Sequence, residues 1–291
     1  MAKPINNGSG KSFNDKTWVV SVNAWDNDPL SSPTYDSFTF NWTRGANSVN
    51  APAVLGSSND FLYVSPSLDR LDGEDDGIYA TAYSDTLTVN GGKGSDQIIF
   101  SEGGISILDG FFAGVTSFED VKLADGAGSS IGLGAYAAST GIVSVEGGDG
   151  NDLIAFGAAY DAINVRAEGE EGNDSLITAG GNDVLRGGSG NDLLTGNGGA
   201  DSFVFAHAGA DNADRIVDFD SVEGDRIVLS GDTFAGLSNA TLVTDFGTKL
   251  LYNTETGELS YDADGADLLP AVTVAYLDGM PVLSAADFVI A

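Results

Sequence analysis

Aspartate recurs at every ninth position between Gly169 and Val204. Four consecutive nine-residue units fill this stretch, each with glycine fourth, aspartate sixth and a large apolar residue eighth. Glycine permits turns that a Cβ would block, so carbonyl oxygens can point inward beside the carboxylates. Calcium accepts six to eight oxygen ligands at loosely defined angles, which stacked flexible turns can supply. The spacing therefore predicts several bound Ca²⁺ ions, with a carboxylate ligand from each of Asp174, Asp183, Asp192 and Asp201.

Two further units of the same pattern lie upstream. Gly147–Ala155 supplies Asp152, and Gly91–Ile99 supplies Asp96. The spacing from Asp152 to Asp174 is longer than two nine-residue units, so residues 160–167 are expected to form a bulge on one coil. Residues at the first and third positions of the turns are expected to add oxygen ligands. These candidates are Gly147, Asp149, Gly169, Glu171, Gly180, Gly187, Ser189, Gly196 and Gly198.

The eighth residue of each unit is expected to begin or centre a short strand and to point inward. The residues at this position are Ile98, Ile154, Leu176, Leu185, Leu194 and Phe203. Two units should make one coil of a parallel β-roll, so aspartates two units apart lie above one another. Asp174 should then face Asp192 across one ion, and Asp183 should face Asp201 on the opposite edge. Stacked carboxylates repel one another without a cation, so folding is expected to require the metal.

We predict an all-β protein: a parallel β-roll or β-solenoid with a small N-terminal β module and a C-terminal β cap. Residues 1–65 are rich in aromatic side chains, and Ser37–Thr43 alternates like a half-buried strand. Residues 66–204 form the solenoid, and residues 205–291 form the cap. Within the cap, Arg215–Phe219 and Arg226–Leu229 should be strands that close the open end. Asn253–Gly257 should be a hairpin loop.

The composition excludes several classes of protein. A formal net charge of −31 would repel nucleic acid, and the absence of cysteine rules out disulfides and thiolate metal sites. No stretch of ~20 apolar residues is present that could span a membrane. The first ten residues lack the apolar core of a cleavable signal peptide, so export would need a different kind of signal.

The catalytic motifs that the chain resembles are all incomplete, and it is expected not to be an enzyme. The only histidine, His207, cannot provide the two that a zinc-peptidase helix needs. Gly128–Gly132 matches the letters of a nucleophile elbow, but glycine-rich flanks argue against a Ser130/His207 dyad. Gly8–Ser12 lacks the leading glycine of a phosphate-binding loop. A hydrolase that uses a pair of carboxylates stays open, since acidic residues are abundant.

The units of residues 147–204 resemble the repeats-in-toxin (RTX) family of secreted, calcium-binding bacterial proteins. Leu283–Ala291 is similar to the uncleaved C-terminal signal by which many of these proteins leave through a type I secretion channel. The resemblance implies export in an unfolded state and folding outside the cell on calcium. Ser117–Leu123 also resembles a short phrase of β-solenoid surface-layer (S-layer) proteins.

Together these features predict a secreted, calcium-dependent structural protein of the bacterial cell surface. We expect it to self-assemble into a surface layer, lattice or filament, with copies of itself as partners. Residues 1–65 would make subunit contacts or attach the protein to the cell, for example to a cell-surface polysaccharide. The alternative is a secreted adhesin or ligand-binding module that recognises a glycan or a host surface.

Overall fold

The computed structural model describes residues 95–100, 103–266 and 269–291. It also describes the backbone of six short strands nearer the N-terminus. These are β1 Thr17–Val20, β2 Asn23–Ala24, β3 Phe38–Asn41, β4 Ala53–Val54, β5 Asp60–Val64 and β6 Val89–Asn90. β3 falls inside the predicted strand Ser37–Thr43 and pairs antiparallel with β1. The rest of the aromatic module lies outside the described residues, so its role stays a prediction.

From residue 95 the chain winds as a β-solenoid, which confirms the predicted fold class. The first strands are β7 Gln97–Phe100, β8 Ser106–Ile107, β9 Val115–Thr116, β10 Asp120–Lys122, β11 Ser130–Leu133, β12 Ser144–Asp149, β13 Leu153–Phe156, β14 Arg166–Glu171 and β15 Ser175–Ile177. The later strands are β16 Val184–Ser189, β17 Leu193–Thr195, β18 Ser202–Phe205, β19 Asp214–Ile216, β20 Arg226–Leu229, β21 Leu250–Tyr252, β22 Glu258–Tyr261, β23 Val272–Leu277 and β24 Phe288–Ile290. The described residues also form two short α-helices, α1 Ala135–Thr140 and α2 Leu242–Asp245, and three 3₁₀ helices, Asp109–Gly114, Ala158–Tyr160 and Ala285–Asp287.

Most of the strands form two large sheets that enclose the core, while β1-β3 and β4-β6-β9 form two small sheets. The ten-stranded sheet has the order β2-β5-β7-β10-β12-β14-β16-β18-β20-β24, and the nine-stranded sheet has the order β21-β22-β23-β19-β17-β15-β13-β11-β8. Each coil contributes one strand to each sheet, so neighbours pair in parallel and inward residues stack. All six predicted inward residues, Ile98, Ile154, Leu176, Leu185, Leu194 and Phe203, are 0 % exposed. None of the described helices is long and apolar enough to cross a membrane.

Coil length varies along the solenoid. Arg166 pairs with Val184 and Ser175 with Leu193, which confirms that two nine-residue units make one coil. Leu153 pairs with Ser175, so the coil between these two residues is longer. The extra residues belong to the loop between β13 and β14, where a 3₁₀ turn at Ala158–Tyr160 buries the Tyr160 ring against Phe156. The predicted bulge is therefore confirmed.

The C-terminal part differs from the prediction in one respect. The strands predicted to close the solenoid, β19 and β20, instead add one more coil to both sheets. β24 follows β20 in the ten-stranded sheet, and the antiparallel strands β21, β22 and β23 follow β19 in the other. The predicted hairpin loop Asn253–Gly257 connects β21 to β22, and the Gly257 N–H donates to the Asn253 carbonyl at 2.8 Å.

The outer edge of β24 is covered by a side chain. The Asn239 amide donates to the Ile290 carbonyl and accepts from the Ile290 N–H, each at 2.8 Å. An unpaired strand edge is a template for pairing with another chain, and Asn239 occupies the positions that such a chain would use. In the segment Leu283–Ala291, which resembles a secretion signal, residues Phe288–Ile290 thus form a strand of the folded solenoid.

Candidate metal centre

The nine-residue units alternate between the two edges of the solenoid. Units that lead from the ten-stranded into the nine-stranded sheet make their turns on one edge, which we call edge A. Units that return make them on the other edge, edge B. Each sixth-position aspartate immediately precedes the first residue of a strand and lies inside the turn. Asp152, Asp174 and Asp192 on edge A and Asp183 and Asp201 on edge B are all at most 3 % exposed.

On edge A the aspartates form a continuous ladder. The Asp152 N–H donates to Asp174 Oδ1 at 2.7 Å, and the Asp174 N–H donates to Asp192 Oδ1 at 2.8 Å. The Asp192 N–H in turn donates to Asp214 Oδ1 at 3.0 Å. Each carboxylate thus receives the main-chain N–H of the coil before it, and Asp174 stacks directly on Asp192 as predicted.

Edge B repeats the arrangement. The Val165 N–H donates to Asp183 Oδ1 and the Asp183 N–H donates to Asp201 Oδ1, both at 2.8 Å. The Asp201 N–H continues the ladder to Asp225 Oδ1 at 2.9 Å. The predicted juxtaposition of Asp183 and Asp201 on the edge opposite Asp174 and Asp192 is therefore present.

Glycine is required where the turns approach this ladder. At Gly187, the first residue of its unit, an added Cβ would overlap Asp192 Oδ2. At Gly190, the fourth residue, φ is +134° and an added Cβ would overlap the Gly172 carbonyl of the neighbouring coil. Gly190 thus combines the left-handed backbone with close approach, which only glycine tolerates.

Oxygen atoms of the ladder are left without hydrogen-bond donors. Asp174 Oδ2, Asp192 Oδ2 and Asp201 Oδ2 are buried and accept no hydrogen bond. A buried carboxylate oxygen in that state is costly unless a cation binds it. Burial raises the pKa of Asp174 to about 7 and that of Asp201 to about 8. Hard, anionic, unpaired oxygens beside main-chain carbonyls form a donor set that suits calcium.

The raised pKa values predict how the metal-free protein responds to pH. The ordinary aspartate pKa is about 3.9, so the metal-free fold binds more protons than the unfolded chain between the two values. Its stability is therefore lost as pH rises through about 7 to 8 and regained on acidification. In excess chelator we expect circular dichroism to show little β-structure at pH 8 and a partial return near about pH 5. A spectrum independent of pH would contradict this expectation.

The remaining predicted ligands lie at different depths. Gly147, Gly169, Gly187 and Gly196 are buried beside the carboxylate of their own unit. Asp149, Glu171 and Ser189 stack in register at the rim of edge A, and Gly180 and Gly198 lie half-buried on edge B. The Glu171 carbonyl accepts from the Gly150 N–H at 2.7 Å, and the Ser189 carbonyl accepts from the Gly172 N–H at 2.8 Å. These two carbonyls join coils whether or not they also contact an ion.

Asp96 is separated from the other predicted carboxylates. It precedes β7 on edge B, where the next coil has Glu119, whose Oε2 accepts from the Asp96 N–H at 2.8 Å. Val143 and Val165 occupy the same place in the two following coils. The ladder of aspartates on edge B therefore begins at Asp183, and the structure does not bring Asp96 to it.

Asp214 and Asp225 extend the two ladders and were missed by sequence reasoning. Both are at most 4 % exposed, and burial raises the pKa of Asp214 to about 8. The signal was present, because Asp214-Arg-Ile-Val and Asp225-Arg-Ile-Val each place an apolar residue two positions after aspartate. The turns before them lack the glycine pattern, and their coils are longer than two nine-residue units.

The fifth-position asparagines form outer ladders that sequence reasoning also missed. Asn151 Oδ1 accepts from the Asn173 N–H, and Asn173 Oδ1 accepts from the Asn191 N–H, both at 2.8 Å. On edge B, Asn164 Oδ1 accepts from the Asn182 N–H at 2.9 Å. Each asparagine therefore holds the turn of the next coil from outside, whereas each aspartate holds the turn of the preceding coil from inside.

Among the described units, those of Glu170 and Asn197 depart from glycine at a second position where the backbone is left-handed. Gly188, at the second position of its unit, has φ +116°, whereas Glu170 holds the equivalent place with φ +76°. This conformation costs an L-residue about 1–2 kcal/mol, partly offset by the greater unfolded-state entropy of glycine. We expect Glu170→Gly to stabilise the calcium-loaded protein by about 0.5–1 kcal/mol in urea unfolding. Glu171→Gly removes the same charge at a residue with ordinary φ, so a gain there of equal size would contradict the backbone explanation.

The structure separates the residues of the serine–histidine dyad. Ser130 begins β11, and its hydroxyl donates to Ser106 Oγ at 2.9 Å. His207 lies beside edge A, with Nδ1 at 2.9 Å from the Gly188 carbonyl, near Asp192. The strand that follows Asp192, β17, is three strands from β11 in the same sheet, roughly 14 Å away at the usual strand spacing. Among the described residues, histidine, aspartate and glutamate side chains do not converge in groups of three or more, so a calcium site in the ladders would take most of its oxygens from main-chain carbonyls.

Comparison with known families agrees with the repeat geometry. The family model of the RTX calcium-binding nonapeptide repeat, which describes four copies, matches residues 136–163 and 168–203. The second range covers the four consecutive units, and the first includes the unit of Asp152. No curated protein matches the chain. The repeats bind Ca²⁺, and residues 136–163 and 168–203 are RTX calcium-binding nonapeptide repeats.

Proposed function

We propose that this is a secreted structural protein of the bacterial cell surface, which folds on calcium and assembles with copies of itself. The observation that carries the proposal is the pair of aspartate ladders. They run coil over coil through the interior of both edges and leave buried oxygens without a donor. A fold built around these oxygens depends on cations, and calcium is abundant outside cells.

The ions would lie between consecutive coils. On edge A the carboxylates of Asp174 and Asp192 would contribute, and on edge B those of Asp183 and Asp201, together with carbonyl oxygens of the same turns. Calcium supplies positive charge at these places and joins one coil to the next. The chain supplies the spacing, the glycine turns and the N–H donors that hold each Oδ1 in place.

The acidic composition supports folding after export. At −31 the chain repels itself when no cation is bound, which favours an extended state that can pass a narrow channel. Calcium outside the cell would neutralise the ladder carboxylates, so the chain would fold once it has been exported. The segment Leu283–Ala291, similar to a secretion signal, would be accessible before folding and incorporated into β24 afterwards.

A structural role is supported by the continuous core and by the position of the buried aspartates. Among the described residues, the hydrophobic core extends from Ile98 to Phe288, and most of the buried aspartates belong to the ladders. Such a rod is rigid when loaded with ions and presents two long, regular sheet faces to its neighbours.

Electron microscopy of the full chain with and without calcium tests the assembly. We expect ordered layers, ribbons or filaments in excess calcium and dispersed, unfolded chains in excess chelator. A monomer at high protein concentration in both conditions would contradict the proposed assembly while leaving the calcium-dependent folding intact.

A further inference from the structure

The outer faces of the two sheets differ in charge. On the ten-stranded sheet, outward residues of β10 to β16 include Lys122, Glu146, Arg166, Glu168 and Arg186, with ion pairs from Lys122 to Glu146 and from Arg166 to Glu168. On the nine-stranded sheet, no outward residue of β11, β13, β15 or β17 is charged. We call the outer surface of these four strands the uncharged face.

The uncharged face is made of two rows that the strand register aligns. The first row is Ser130, Leu153, Ser175 and Leu193, in the order of the strands. Leu153 is 41 % exposed and Leu193 is 40 % exposed, so both leucines project into solvent. Large and small side chains thus alternate from one strand to the next, about 4.8 Å apart.

The second row lies two residues further along each strand: Gly132, Ala155, Ile177 and Thr195. Its small members come first and its larger members last. Gly132 and Ala155 line a shallow groove together with Leu108, Phe156 and Asp109. The Asp109 carboxylate is held at the end of the groove by the main-chain N–H groups of Gly134, Tyr136 and Ala137. The face therefore has a depression at one end and projecting side chains at the other.

We propose that two copies of the chain pair through the uncharged face, related by a two-fold axis that runs along the strands between β13 and β15. This inference rests on the proposed self-assembly and names one surface that takes part in it, since a closed two-fold pair needs a second interface to extend into a layer or filament. Two-fold pairing places the same patch of both copies against each other, so the patch must be self-complementary.

The two rows meet that requirement. The axis reverses the order of strands in the second copy, so Leu153 faces Ser175 and Leu193 faces Ser130 in the first row. In the second row Ile177 faces Ala155 and Thr195 faces Gly132, so the larger residues enter the groove. Every large side chain then meets a small one, as in the interdigitated packing of two sheets about 10 Å apart.

Charge also favours this face over the outer face of β10 to β16 in the ten-stranded sheet. Two chains of −31 repel each other strongly, and close approach costs least where acidic side chains are absent. Four strands of this length cover roughly 20 Å by 12 Å, which is small for a protein interface. We therefore expect a weak, concentration-dependent dimer that depends on its two exposed leucines.

Sedimentation velocity of the full chain in excess calcium tests the inference. We expect the unaltered protein to dimerise as its concentration rises, and Leu153→Glu/Leu193→Glu to dimerise at least tenfold more weakly. Val184→Glu/Val204→Glu adds the same charge to outward residues of the ten-stranded sheet and should dimerise like the unaltered protein. Ala155→Leu adds no charge but fills the position that receives Ile177, and should also weaken the dimer at least tenfold.

The outcomes separate the two proposals. Calcium titrations followed by circular dichroism establish that each variant folds. If the unaltered protein dimerises and both face variants, folded, dimerise with unchanged affinity, the uncharged face is wrong and self-assembly stands. If the unaltered protein stays monomeric at every concentration in calcium, the uncharged face and the proposed assembly are both wrong.

Discussion

Chelation of calcium is expected to abolish most of the β-structure of this protein at pH 8. The ladder carboxylates are buried, several of their oxygens lack a donor, and neighbours within each ladder carry the same charge. Without a cation the folded state must either bury these charges or take up protons, and both cost free energy. Far-ultraviolet circular dichroism during titration with EGTA measures the loss, and added calcium should reverse it.

Magnesium provides the matched control for this experiment. It is smaller than calcium, demands near-octahedral geometry and gives up its water reluctantly, so it fits a site of main-chain carbonyls poorly. Calcium, but not magnesium at the same ionic strength, should therefore restore the spectrum. An unchanged spectrum in excess EGTA would contradict calcium-dependent folding, and equal recovery with magnesium would indicate simple screening of the net charge.

Asp192→Asn should raise the calcium concentration at the midpoint of folding by about tenfold or more, which corresponds to about 1.4 kcal/mol. Asp192 lies in the middle of the edge A ladder, between Asp174 and Asp214. The asparagine retains Oδ1 as acceptor for the Asp174 N–H, so the change is confined to one charge and one oxygen. At Oδ2, which accepts no hydrogen bond, it places an N–H donor that repels a cation.

Asp232→Asn removes the same charge from an exposed turn and is the control. We expect its calcium midpoint to stay close to that of the unaltered protein, because an exposed carboxylate is screened by solvent. Calcium titration of both variants, followed by circular dichroism or calorimetry, gives the comparison. Equal midpoints for the two variants would show that Asp192 contributes only through net charge.

Much of the arrangement of the ladder aspartates could be predicted, because it is set by interactions within a single nine-residue unit. Within a unit of nine residues, glycine sets where the chain turns, aspartate sets where an oxygen points and the eighth residue enters the core. Repetition of two units per coil then stacks Asp174 on Asp192 and Asp183 on Asp201. Leu176, Leu185, Leu194 and Phe203 are buried for the same reason.

Where the coil length changes, local spacing no longer predicts which residues meet. Asp214 and Asp225 join the ladders across longer coils. The turns before them lack the nine-residue pattern, so spacing alone does not predict that they stack. Asp96 has the consensus spacing, yet Glu119, Val143 and Val165 follow it along the edge, so it is isolated from the other aspartates. Stacking depends on which residue of the neighbouring coil lies in register with the aspartate. That register is set by the lengths of the coils and not by the unit itself.

The repeat, the metal and the inward residues could be predicted from the sequence, because each depends on interactions within one or two turns. Which residues share an outer face depends on the winding, since outward residues pair with strands a full coil away along the chain. The alignment of Ser130, Leu153, Ser175 and Leu193 in one uncharged row is of this kind. Along the chain they are isolated residues; in the sheet, parallel pairing makes them a surface.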